Sequence, residues 1–226
     1  MELKTIGKRI GLAASILAFG TGIADVNAAD WIPKRSDVMG AAPDFYNASW
    51  VTGISRDSGK QCIRLGDIAN DRRDPTYHTA YYSFPNWSGQ KLTAVTRIQA
   101  SFFKPNGMTN YFCSPRFSLE VMNPAPNDTP SGDVIFLDPA YCSKPATGGW
   151  RDADFTGVLA GGSIMDSRGV VYKTEGRISA WKKLVSDPYY AGKRVYFMYL
   201  IQDASTGANY VDRIQLDKAL FTNKPR

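Results

Sequence analysis

The side chains able to do chemistry are few. His78 is the only histidine among the 226 residues. A histidine-rich zinc site is therefore excluded, and a Ser-His-Asp triad would have to use this one residue. His78 sits among Tyr77, Tyr81 and Tyr82, with no nucleophile-elbow motif nearby. No Walker loop or dinucleotide fingerprint occurs, which argues against nucleotide chemistry. Beyond residue 28 the only glutamates are Glu120 and Glu175. Sandwich glycosidases set two carboxylates across a cleft, one as acid and one as nucleophile or base. Glu120 shares the polar phase of its segment with Arg116, but no paired-carboxylate strand motif accompanies it. A lyase built on an arginine and a tyrosine base is equally open. The aromatic residues suit binding better, because rings with polar neighbours can both stack on and orient a ligand. Trp87 lies in the polar turn Asn86–Gly89 and reads as an exposed platform. Tyr81, Arg97, Gln99, Arg116 and Glu120 are expected to line the outer face of one sheet. Trp150 and Trp181 are expected in the core.

The elements that would position these residues are strands. Turn clusters such as Asp57-Ser58-Gly59, Pro105-Asn106-Gly107 and Ser205-Thr206-Gly207 recur along the chain. Between them lie short segments rich in aromatic and β-branched residues, the pattern of a sandwich or barrel. Leu92, Ala94, Thr96, Ile98, Ala100 and Phe102 share one phase, while Arg97, Gln99 and Ser101 take the other. Phe117, Leu119 and Val121 alternate in the same way with Arg116, Ser118 and Glu120. Such alternation puts one face on a core and the other toward water or ligand. Val195–Ile201 is apolar in both phases and predicts a central strand covered on both sides. One helix is expected, with Ile178, Trp181, Leu184 and Val185 on one side, ended by Asp187-Pro188 and capping the sandwich.

Residues 1–28 read as a secretory signal. Lys4, Lys8 and Arg9 precede an apolar stretch over 10–19, and Val26-Asn27-Ala28 gives a small-residue cleavage site. The apolar run is shorter than the roughly 20 residues a spanning helix needs. The expectation is an exported chain, secreted or held in the periplasm or at the cell surface, with one domain over 29–226 and no stable membrane insertion. The formal charge of +6 is spread without a dense basic run, so no nucleic-acid partner is expected. The positive bias would favour acidic partners such as uronate polymers. Of three cysteines, Cys113 and Cys142 flank a Pro- and Asn-rich stretch and are favoured as a disulfide, leaving Cys62 as a buried free thiol.

The run Asn209-Tyr210-Val211-Asp212-Arg213-Ile214-Gln215-Leu216-Asp217 resembles the last strand of extracellular jelly-roll domains, among them many carbohydrate-binding modules and concanavalin-like sandwiches. With Trp150, the helix and the apolar strand, the likeness covers roughly the last 80 residues. It implies an all-β, jelly-roll-type antiparallel β-sandwich with one short helix. Tyr210, Ile214 and Leu216 share a phase with Asp212. If that phase faces inward, the carboxylate needs an arginine, loop N–H donors or a metal. In some of the resembling modules the matching aspartate helps hold a structural calcium, so calcium is the cofactor that the likeness implies. The leading functional expectation is a noncatalytic module that binds a polysaccharide or cell-envelope glycan. Its alternatives are a structural surface, matrix or filament protein, and a glycan hydrolase or lyase.

Overall fold

The computed structural model describes residues 45–57, 60–69, 78–84, 87–108, 115–124, 129–139, 148–158, 162–203 and 205–221. Residues 1–28, read above as a secretory signal, and Cys113 and Cys142 of the expected disulfide lie outside the described residues. Among the described residues thirteen strands run β1 (Phe45–Tyr46), β2 (Ala48–Thr52), β3 (Gln61–Leu65), β4 (Ala80–Ser83), β5 (Ile98–Phe103), β6 (Arg116–Met122), β7 (Pro130–Pro139), β8 (Trp150–Asp154), β9 (Gly162–Asp166), β10 (Val171–Tyr172), β11 (Arg194–Gln202), β12 (Asn209–Leu216) and β13 (Ala219–Phe221). Every pairing is antiparallel. A seven-stranded sheet has the order β1-β4-β11-β6-β7-β9-β10. A six-stranded sheet has the order β2-β3-β12-β5-β8, with β13 paired to β12. The chain is an all-β sandwich.

Alternation sorts the faces. In β5, Ile98, Ala100 and Phe102 join the core between the sheets, while Gln99, Ser101 and Phe103 take the other face. In β6, Phe117, Leu119 and Val121 point inward. In β11, Val195, Met198 and Leu200 enter the main core, and Phe197, Tyr199 and Ile201 form a second buried apolar cluster. That strand lies between β4 and β6, as its two apolar phases predict.

One α-helix, α1 (Ala180–Ser186), occurs among the described residues. Ser179 caps it by accepting the Lys182 N–H at 3.2 Å. Ala180, Trp181 and Leu184 are buried, and the helix packs against β9 and β10 at the edge of the seven-stranded sheet. Asp187 ends it and caps the following 3-10 turn, Pro188–Tyr190. Ile178, expected on the helix's apolar side, instead precedes the helix in a bridge to Glu175 and is exposed. Leu92–Ala94 also departs from expectation: it forms a 3-10 turn rather than extending β5. No helix among the described residues is long and apolar enough to cross a membrane.

A carboxylate anchors the helical end. Asp166 is fully buried at the end of β9. It accepts the N–H groups of Arg168 and Val170, two bonds from the Arg168 guanidinium, and the hydroxyls of Tyr172 and Tyr190. Arg168 also binds Asp187 at 2.8 Å and stacks over the Tyr189 ring. A buried charge satisfied this fully fixes geometry rather than awaiting a ligand.

The centre of the core is aromatic. Phe117 meets Phe84, Phe102 and Phe155 at centroid distances of 6.2, 6.1 and 6.0 Å. It therefore ties both sheets together. Phe117→Ala should cost roughly 3–5 kcal/mol of stability, read from the denaturation midpoint. A loss below about 1 kcal/mol would show that the aromatic junction is not a main support.

Candidate functional site

The strand β12 decides which side chains reach the surface. Its pairing with β5 skips one residue between Asp212 and Gln215, and Arg213 adopts φ 49°. This bulge reverses the phase of the strand. Val211, Ile214 and Leu216 all reach the core, whereas Tyr210, Asp212 and Gln215 face outward. Asp212 would point inward only if Tyr210, Ile214 and Leu216 shared one inward phase, and the bulge removes that condition.

Asp212 is nevertheless buried on this outer side. One oxygen accepts the Arg56 N–H at 2.8 Å, and the other accepts the Arg213 N–H at 2.7 Å. Two backbone donors thus compensate the charge. No group of three or more His, Cys, Asp or Glu side chains able to hold a metal occurs among the described residues. Cys62, beside Asp212, is a buried free thiol, and burial with the Asp212 charge pushes its pKa up to about 12.

Three rows of side chains cross the outer face of the six-stranded sheet. Tyr210, Phe103 and Trp150 stand in register on β12, β5 and β8. All three are half-buried, with centroids 5.9 Å and 5.5 Å apart. The next row is Asp212, Ser101 and Asp152, and the third is Gln215, Gln99 and Asp154. Arg56 spans the middle row, donating to Ser101 Oγ at 2.9 Å and to Asp152. Ser101 Oγ donates to Asp152 at 2.6 Å. Asp154 takes Gln99 Nε2, the Thr156 N–H and hydroxyl, and the Gly157 N–H. A cleft of about 490 Å³ opens over these polar rows, bounded by Asp57, Arg213 and Leu220. Arg213 binds Asp57 through Nε and Nη2 and lowers its pKa.

The residues expected on one face are divided. Gln99 lies in the cleft, and Arg97 is exposed just before β5. Tyr81, Arg116 and Glu120 are on the opposite sheet, on β4 and β6. Tyr81 stacks on Tyr46 at 5.9 Å. Arg116 is buried, pairs with Asp203 at 2.7 Å and Asp138 at 3.5 Å, and covers the Phe136 ring. The Tyr199 hydroxyl donates to Glu120, yet burial pushes the Glu120 pKa up to about 7. Trp87 is no exposed platform. It is 6% exposed and packs in the main core. Its turn is drawn inward by bonds from the Trp87 N–H to the Phe84 carbonyl and from the Gly89 N–H to the Val195 carbonyl. His78 spends its Nδ1–H on the Gly66 carbonyl at 2.7 Å.

The sequence reading missed the aromatic row. It placed Trp150 in the core and set Tyr210 in one phase with Ile214 and Leu216. Phe103 carried a usable signal, because it continues the outward phase of Arg97, Gln99 and Ser101. An aromatic residue in a polar phase marks a surface with a use for apolar area.

Comparison with known proteins finds no matching family model, no matching curated protein and no matching solved structure.

Two outcomes follow from this geometry. Asp212→Ala strands two N–H groups and should cost roughly 1–3 kcal/mol, measured by denaturant unfolding. Chelation should leave the melting temperature of the unmodified protein unchanged, and a drop on chelation would refute compensation by N–H donors alone. Glu120 gives a pH signature. Its folded pKa lies above the ordinary glutamate value of 4.5, so the native state binds the proton more tightly. The added stability is fully present below pH 4.5 and is lost as pH rises through about 7. Across that window the native protein should lose up to about 3 kcal/mol relative to Glu120→Gln. Parallel stability curves for the two proteins from pH 4 to 8 would contradict the assignment.

Proposed function

We propose that the protein is a noncatalytic glycan-binding module that holds its ligand across β12, β5 and β8. The observation that carries this reading is the half-exposed row Tyr210–Phe103–Trp150 beside a polar cleft. Sugar rings have apolar C–H faces and hydroxyl rims. Aromatic rings accept the faces, and nearby carboxylate and amide groups bond the rims. The same face delivers both kinds of contact, because the residues two along each strand share it.

The carboxylates favour binding over hydrolysis. Asp154 is occupied by donors from its own loop and Gln99, and Asp152 by Arg56 and Ser101. On the other sheet, Glu120 stands opposite Val134, while Asp138 belongs to the row of Arg116, four residues along. That spacing is about 13 Å by strand rise, well beyond the separation that a glycosidase pair uses. Export to meet such a ligand is consistent with the signal-like segment at 1–28.

The test is a glycan array followed by calorimetry on any ligand found. Trp150→Ala should weaken binding roughly tenfold, about 1.4 kcal/mol, while Glu120→Gln on the far sheet leaves it unchanged at neutral pH. Binding that survives loss of Trp150 and Tyr210 together would remove this face as the site.

A further inference from the structure

The proposed glycan site also carries information about the kind of glycan, and this inference rests on that reading. Ring geometry comes first. The planes of Phe103 and Trp150 meet at 47°, and those of Phe103 and Tyr210 at 70°. The three rings therefore make no common plane. A crystalline polysaccharide presents many chains in one flat layer, and only coplanar, protruding rings can lie against it together. These rings are half-buried and tilted, and beyond the middle row the surface falls into a cleft. A single chain can follow such a surface, because each of its sugars can rotate about the glycosidic bond to meet the next ring.

Charge comes second. Asp57, Asp152 and Asp154 line the cleft against one guanidinium, that of Arg213. Arg213 grips Asp57 through two nitrogens, and Arg56 is held by Asp152. A uronate polymer would bring a carboxylate with each sugar into a carboxylate-lined cleft, and like charges at such range repel. The chain as a whole is basic, at +6, so the acidic lining is a local property of this face. Hydroxyl groups meet no such penalty. Arg56 and Ser101 both bond Oδ1 of Asp152, and the exposed carboxylate accepts from hydroxyls through its other oxygen; the Gln215 amide, whose Nε2 donates to the Asp217 carbonyl at 3.3 Å, stands on the same face.

We infer that this face takes one strand of an uncharged polysaccharide, in preference to a crystalline surface or a polyuronate. The full chain would be titrated calorimetrically with soluble oligomers of neutral hexoses, pentoses and N-acetylhexosamines, and with alginate and polygalacturonate. Pull-downs on crystalline cellulose and crystalline chitin would run alongside. The expected result is binding to a soluble neutral oligomer, changing less than about twofold between low and high salt. Trp150→Ala should weaken that binding at least tenfold, and Trp150→Phe, which keeps a ring and the fold, should weaken it less. Asp152→Asn should improve binding to the polyuronates, because it removes a repelling charge and loosens Arg56. Binding confined to crystalline solids or to polyuronates would overturn the inference and leave a glycan module standing. Failure to bind every probe would overturn the glycan reading itself.

Discussion

The extra residue in β12 is the constraint on which the rest of the surface depends. A strand has a period of two, so a single inserted residue exchanges its faces from that point onward. Before Arg213 the strand pairs with β3 and β5 and shows Tyr210 outward. After Arg213 it pairs with β5 and β13 and still sends Ile214 and Leu216 into the core. A straight strand could not do both. It would bury Tyr210 or expel Ile214 and Leu216. Left-handed backbone at a non-glycine residue is unfavourable, and local contacts hold it here. Asp212 accepts the Arg213 N–H, and Asp57 holds the guanidinium.

Much of the fold was legible in the sequence because it rests on local periodicity. The outward and inward phases of 98–103 and 116–121, the two apolar phases of β11 and the stop at Asp187-Pro188 all follow from neighbours in the chain. What was not legible depends on contacts made at long range. Alternation says which residues of a strand face outward but not which sheet the strand joins. Gln99 and Glu120 lie on consecutive strands and end on opposite sheets. Trp87 sits among polar neighbours, yet its turn is bonded to β11, over a hundred residues later, and the indole follows the backbone inward. The bulge in β12 has no glycine to announce it, so simple alternation grouped Tyr210 and Asp212 with Ile214 and Leu216.

The two sheets treat charge differently. On the six-stranded sheet the ion pairs are peripheral, and Asp152 remains 61% exposed. On the seven-stranded sheet Arg116, Asp138 and Asp203 are buried together, and Glu120 is shielded enough to hold a proton near neutrality. A surface that meets a ligand must keep its polar groups solvated until contact. A surface that organises the scaffold can withdraw them from water if they satisfy one another. The outer face of the seven-stranded sheet meets the second condition through Arg116, Asp138 and Asp203.

Cys62 shows how thoroughly the six-stranded sheet protects what lies within it. The thiolate is the reactive form, and burial together with the Asp212 charge pushes the thiol pKa up to about 12, which keeps it protonated at neutral pH. Burial removes the remaining access, since the side chain has no exposed surface. The thiol can therefore remain reduced in an oxidising medium through slow kinetics, with no need of a reducing potential. Its alkylation would proceed only as fast as β3 parts from its surroundings. The residue is in effect a built-in clock for the breathing of the sheet that carries the aromatic row.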